Sequence, residues 1–159
     1  MKRIKPLLLI GLIIVISLSY SSKSYAHCEI PCGIYEDTLR IELIKEHIVT
    51  IEKSMKMIIK LSEEEKPNYN QIVRWVNNKE EHANKLQEIV TQYFLTQRIK
   101  PESDKNNDRY YKYIKHVTLL HQLMVLSMKT KQSTDFLYIN KLNHTINLFE
   151  ESYFHKHEH

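Results

Sequence analysis

Nine residues near the start of the sequence hold its most unusual chemistry: His27-Cys28-Glu29-Ile30-Pro31-Cys32-Gly33-Ile34-Tyr35. Both cysteines of the chain lie here, with a histidine directly before the first. A cut after Ala26 makes His27 the first residue. An α-amine, a backbone amide, two thiolates and an imidazole can then converge on one ion. Two thiolates with an amine and a deprotonated amide form a strong-field planar set, which suits Ni(II) or Cu(II). Structural zinc takes four tetrahedral Cys or His side chains instead. An imidazole free to bind or leave axially supports a higher oxidation state, and thiolate and amidate donation brings the metal potential within reach of small oxygen species. Pro31 restricts the backbone between the cysteines, and Gly33 allows a bend just after the second. The chemistry this pattern suits is redox cycling.

A Cys28–Cys32 disulfide is the competing reading, since exported proteins commonly oxidise cysteine pairs. Such a bridge closes a very short loop and staples almost nothing. A thioredoxin-like pair would be Cys-x2-Cys in a βαβ context, which the sequence lacks. The tail His155-Lys156-His157-Glu158-His159 is a weak metal-binding composition and reads first as a solvated end. His47, His116, His121 and His144 are scattered, with His121 expected in the core. Met55, Met124 and Met128 also read as core. Tyr110, Tyr111 and Tyr113 suit a subunit contact. No Ser/His/Asp triad or paired-carboxylate site can be assigned.

The cut after Ala26 has its own signature. Lys2, Arg3 and Lys5 precede an apolar stretch from Leu7 to Leu18, and a polar segment ends in Ser24-Tyr25-Ala26. These zones describe a cleavable signal peptide over residues 1–26, with an apolar run too short to span a bilayer. The expectation is therefore an exported protein, periplasmic or extracellular, that meets the membrane only through its leader. The full chain has 159 residues and a formal charge of +4, an invitation to a nucleic-acid reading. Of its 23 basic residues, Lys2, Arg3, Lys5 and Lys23 leave with the leader, so 19 remain against 19 acidic ones. No basic bias remains to attract phosphates, and no nucleic-acid partner is expected. One domain, residues 27–159, remains.

The elements that must position the nine residues are helical. Ile41, Ile44, Ile48, Ile51, Met55 and Ile58 mark one apolar stripe on a helix from about Thr38 to Leu61, capped by Asp37 or Thr38 and ended before Pro67. A second stripe runs Ile72, Val76, Ala83, Leu86, Val90 and Tyr93, broken by Lys79. The third is Tyr110, Ile114, Val117, His121, Met124 and Met128. The fourth is Phe136, Ile139, Leu142, Ile146, Phe149 and Tyr153. Four such helices with short polar connections predict an all-α, antiparallel four-helix bundle behind an irregular N-terminal metal-binding hook, residues 27–35.

The pattern His-Cys-x-x-Pro-Cys-Gly-x-Tyr resembles the nickel-binding hook of the nickel superoxide dismutase family. Looser support comes from Arg40-Ile41-Glu42, Lys79-Glu80-Glu81-His82-Ala83, Tyr93-Phe94 and Leu120-His121-Gln122-Leu123. The resemblance implies a homohexamer of four-helix subunits, with nickel as cofactor, that disproportionates superoxide to dioxygen and hydrogen peroxide. It implies as ligands the amine and imidazole of His27, the amide and thiolate of Cys28, and the thiolate of Cys32. His27 would be the switching axial ligand and Tyr35 would line the substrate approach, with Tyr93 as a second tyrosine near the site. Family members orient the axial imidazole with a carboxylate and a basic residue, which by motif become Glu42 and His82. Glu46, one turn beyond Glu42, competes for the carboxylate role.

Two departures stand out. Glu29 occupies a position often filled by aspartate, and the leader looks like an export signal where many members carry a short pro-sequence. The reading from another class is an exported metal-binding or metal-delivery helical protein that uses the same hook without turnover.

Overall fold

Ile41, Ile44, Ile48, Ile51 and Met55 recur at three- and four-residue steps, and all five are fully buried in the first helix. The structure, a computed structural model, describes residues 35–154, which all fall in one compact unit. The leader, the hook residues His27, Cys28 and Cys32, and the tail from His155 lie outside the described residues. Four α-helices follow in order: α1 (Asp37–Ser62), α2 (Tyr69–Glu88), α3 (Asp108–Gln132) and α4 (Leu137–Phe154). A π-helical segment, Ile89–Arg98, continues α2 without a break. No strand occurs among the described residues, and none of their helices is long and apolar enough to cross a membrane.

Cross-helix pairs give the directions. His47 meets His82, and Ser54 meets Asn78, so α1 and α2 run antiparallel. Ser127 Oγ donates to the Ala83 carbonyl and Gln87 Nε2 to that of Met124, which sets α3 against α2. His116 pairs with Ser152 across α3 and α4. Lys45 reaches Glu150 at 2.9 Å, closing the ring between α1 and α4. The result is the expected antiparallel four-helix bundle, one core shared by all four helices.

Three local expectations are corrected. The first concerns the start of α1. Glu36 holds the N-cap position and no side chain caps the helix. Asp37 is instead the first helical residue, and its carboxylate is taken by Arg98 and Tyr153. The second concerns α3, whose buried residues are His116, Leu119, Leu120, Leu123, Ser127 and Thr130. His121 is exposed, as are Ile114 and Met128, so neither His121 nor Met128 is core. Apolar residues occupy most of the circumference of α3, and periodicity alone did not fix which face turns inward. Val117 and Met124 sit at the border, packed against the core.

The third concerns Lys79, which interrupts the second stripe and is buried all the same, at 4% exposure. Its amine donates to the carbonyls of Lys131 and Ser133, at 3.1 and 3.0 Å. Helix C-termini leave carbonyls without intrahelical partners, and a cation there also opposes the helix dipole. Lys79 thus closes the end of α3 from inside the bundle.

The π-helical segment matters for the site. Its i→i+5 winding places more residues in each turn than an α-helix does. Side chains adapt to it: Thr96 Oγ1 donates to the Thr91 carbonyl and Gln97 Nε2 to that of Gln92, each five residues back. The consecutive aromatics Tyr93 and Phe94 are both buried. Phe94 packs edge-on to Phe149 and Tyr153 of α4, with ring centroids 5.1 and 5.7 Å apart.

Candidate functional site

At the start of α1 the described chain begins with Tyr35, a residue 43% exposed. Its surroundings are built by residues from three separate parts of the sequence. The Arg98 guanidinium carbon lies 4.3 Å from the Tyr35 ring centroid, a cation–π contact. The Tyr93 ring meets Tyr35 edge-on at 6.0 Å. Arg40 places its guanidinium carbon 5.1 Å from the Tyr93 ring centroid.

Beneath the tyrosines sits Asp37. Arg98 grips it with both arms of a fork, Nε to Oδ1 at 2.8 Å and Nη2 to Oδ2 at 2.7 Å. The Tyr93 hydroxyl donates to Oδ1 at 2.5 Å, and the Tyr153 hydroxyl donates to Oδ2 at 2.9 Å. Burial pushes the Asp37 carboxyl up, but the hydrogen bonds from Arg98, Tyr93 and Tyr153, with the Arg98 charge, outweigh it and hold the carboxyl below its ordinary value. Burial and the same carboxylate push both Tyr93 and Tyr153 up to about 12. The Asp37 hydrogen bond also raises Arg98. Asp37 is therefore ionised, both phenols are neutral, and Arg98 is charged across the physiological range.

This arrangement restricts what Tyr93 can do. Its proton points at a carboxylate and its acidity is weakened, so it is a poor acid toward anything bound above Tyr35. Its ring, though, is fixed by that bond and can hold Tyr35 in place. Arg40 Nε is buried with no hydrogen-bond partner among the described residues.

Neither His82 nor Glu42 takes part in the Asp37 cluster. His82 Nδ1 lies 3.1 Å from His47 Nδ1, with ring centroids 5.0 Å apart. In this bond one Nδ1 donates and the other accepts, so the accepting ring carries its proton on Nε2. Burial lowers His47, reinforced by His82, and burial also lowers His82, reinforced by Lys85; both rings are neutral near pH 7. The Glu46 charge acts on both histidines in the opposite sense. Glu42 is exposed and bonds Lys45 at 3.0 Å. No hydrogen bond joins Glu42 to His82 among the described residues; the carboxylates whose charges reach the histidine pair are Glu46, which acts on both rings, and Glu81, which acts on His82. Nor do any three His, Cys, Asp or Glu side chains among these residues group to hold a metal. The donor set read from the sequence lies in the hook.

The model of the nickel-containing superoxide dismutases matches residues 22–157, most of the chain and all of the hook. The chain belongs to this family. It is accordingly a nickel-dependent oxidoreductase that acts on superoxide. No curated protein and no solved structure matches it. The donors expected from the sequence on His27, Cys28 and Cys32 would suit such a nickel ion, since thiolate and amidate ligands favour Ni(II) and stabilise its oxidised form.

Of the residues singled out from the sequence, the structure brings Tyr35 and Tyr93 together and leaves Glu42 and His82 apart. Asp37, Arg98, Arg40 and His47 were not recognised as parts of a site. An acidic residue in the first turn and a basic one in the last read as ordinary dipole complements. Their pairing across 61 positions leaves no local trace in sequence.

Proposed function

We propose that superoxide is disproportionated at the processed N-terminus of this chain, with nickel held by the His27 amine and imidazole, the Cys28 amide and thiolate, and the Cys32 thiolate. When bound, nickel supplies the one-electron Ni(III)/Ni(II) couple. Two superoxide anions and two protons then give one dioxygen and one hydrogen peroxide. Cleavage after Ala26 is indispensable, because with Ala26 attached the His27 nitrogen is an amide and not an amine donor. The His27 imidazole would be the ligand able to bind in one oxidation state and leave in the other.

Tyr35 orders water or substrate at the open face of the hook. Its support comes from the bundle: Arg98 beneath its ring, Tyr93 at its edge, and Asp37 tying both to the start of α1. Such backing holds the phenol in place, where it offers a hydrogen bond and excludes loose water. His82, hydrogen-bonded to His47, is the basic neighbour assigned to the His27 imidazole, with Glu42 or Glu46 as its carboxylate.

The observation that carries this reading is the family match, which includes every hook residue from His27 to Tyr35. Export through the 1–26 leader and assembly as a homohexamer belong to the same proposal. In favour of assembly, Tyr111, Ile114, Val125 and Met128 are exposed on α3 at helical spacing, an apolar strip suited to a second copy. The test is superoxide decay after nickel loading, with Cys28→Ser as control. Turnover in the parent and none in the variant supports the assignment. Stoichiometric nickel binding without turnover would favour delivery of the metal.

A further inference from the structure

A cavity of about 230 Å³ opens among Arg98, Lys100, Arg109 and Lys112, with Tyr113, Tyr153 and His116 completing most of the lining. No carboxylate among the described residues lines it. The charge of Arg98 is met by Asp37, but Lys100, Arg109 and Lys112 form no ion pair among the described residues. Three cations from two segments, Lys100 after the π-helical stretch and Arg109 and Lys112 in the first turns of α3, therefore face one small space without a counter-charge. Like charges gathered this way repel one another unless an anion joins them.

We propose that this cavity binds a small, multiply charged oxyanion of the phosphate class. Donors are available. A guanidinium carries five N–H groups, and Asp37 uses two of those on Arg98, one at Nε and one at Nη2. Arg109 and Lys112 add further charged donors, and the Tyr113 hydroxyl has no hydrogen-bond partner among the described residues. His116 contributes shape and not charge: its Nε2 lies 3.2 Å from the Ser152 hydroxyl, and burial, with Lys112 and Lys115 nearby, keeps its ring neutral. The size argues for a free oxyanion, since pockets for larger organic ligands begin at roughly 300 Å³.

The site needs only the bundle, so its test is independent of whether the hook holds nickel. Inorganic phosphate is titrated into the full mature chain by calorimetry, with ionic strength held constant by chloride. The expected result is one saturable site per chain. Lys112→Glu and Arg109→Glu each weaken it by about tenfold or more, as loss and reversal of a charged donor demand. Neither residue has an ion pair to lose, and circular dichroism checks that both variants stay folded. Lys66→Glu changes net charge equally but lies beyond the opposite end of α1, about 39 Å along a helix of 26 residues; it leaves the affinity within twofold. Non-saturable phosphate uptake, unchanged affinity in Lys112→Glu, or an equal loss in Lys66→Glu overturns the proposal.

Discussion

Arg98 holds Asp37 by two hydrogen bonds, 2.8 and 2.7 Å long, across 61 positions of sequence. The last residue of the π-helical segment is thereby fixed to the first residue of α1. Tyr35, the last residue of the hook pattern, rests on the same guanidinium. The bundle thus supplies a rigid end against which the hook can be held.

Replacing Arg98 with Met removes the fork from Asp37 and the support under Tyr35. The pair is partly exposed, with side chains at 28% and 15%. A fully buried pair loses more, so the expected cost here is about 1–3 kcal/mol. Urea unfolding measures it. Arg98→Lys keeps the charge but not the bidentate geometry, and should recover only part of the loss.

Tyr93→Phe keeps the ring and deletes the hydroxyl that donates to Asp37. The expected loss of stability is about 1–2 kcal/mol. Since that proton is committed to Asp37 and the phenol is pushed up to about 12, its removal should not change the pH profile of dismutation. Stopped-flow superoxide decay in the nickel-loaded variant checks this. A lost ionisation in the profile would show that Tyr93 delivers protons.

Lys79→Met leaves the carbonyls of Lys131 and Ser133 without their buried donor. A cost of about 2–3 kcal/mol is expected. The urea midpoint should fall with no change of slope, as for loss of stability within one fold.

Acid should loosen the junction of α1 and α2. His47, His82 and His116 all have pKa values lowered from 6.5, chiefly by burial. The unfolded chain binds more protons than the folded one between the lowered values and 6.5, so stability is full above 6.5 and declines as pH falls through the folded values. Thermal melts from pH 7.5 to 5 should show a falling midpoint. His47→Gln, which cannot take up that proton, should flatten the slope.

The helices and their order were legible because α1 and α4 carry clean apolar periods, as Ile41 to Met55 and Ile139 to Phe149 show. On α3 the outer face is nearly as apolar as the inner one, and so His121 was assigned to the core while His116 went unnoticed. The family was legible because the residue types from His27 to Tyr35 stand at fixed spacing. The contacts around Tyr35 were not. Asp37, Arg98 and Tyr153 meet only after the ends of three helices are brought together, and the π winding that accompanies burial of both Tyr93 and Phe94 has no simple sequence mark. Lys79 looked like an interruption of a stripe because a buried amine is explained only by carbonyls 52 and 54 positions away.

The central claim is that nickel is held by a chain that begins at His27. Native mass spectrometry of the processed, nickel-loaded protein reads the N-terminus and the bound metal together. The account predicts a chain starting at His27 with stoichiometric nickel, and loss of that nickel in Cys28→Ser. A stoichiometrically loaded, active protein whose chain starts at any other residue would contradict it.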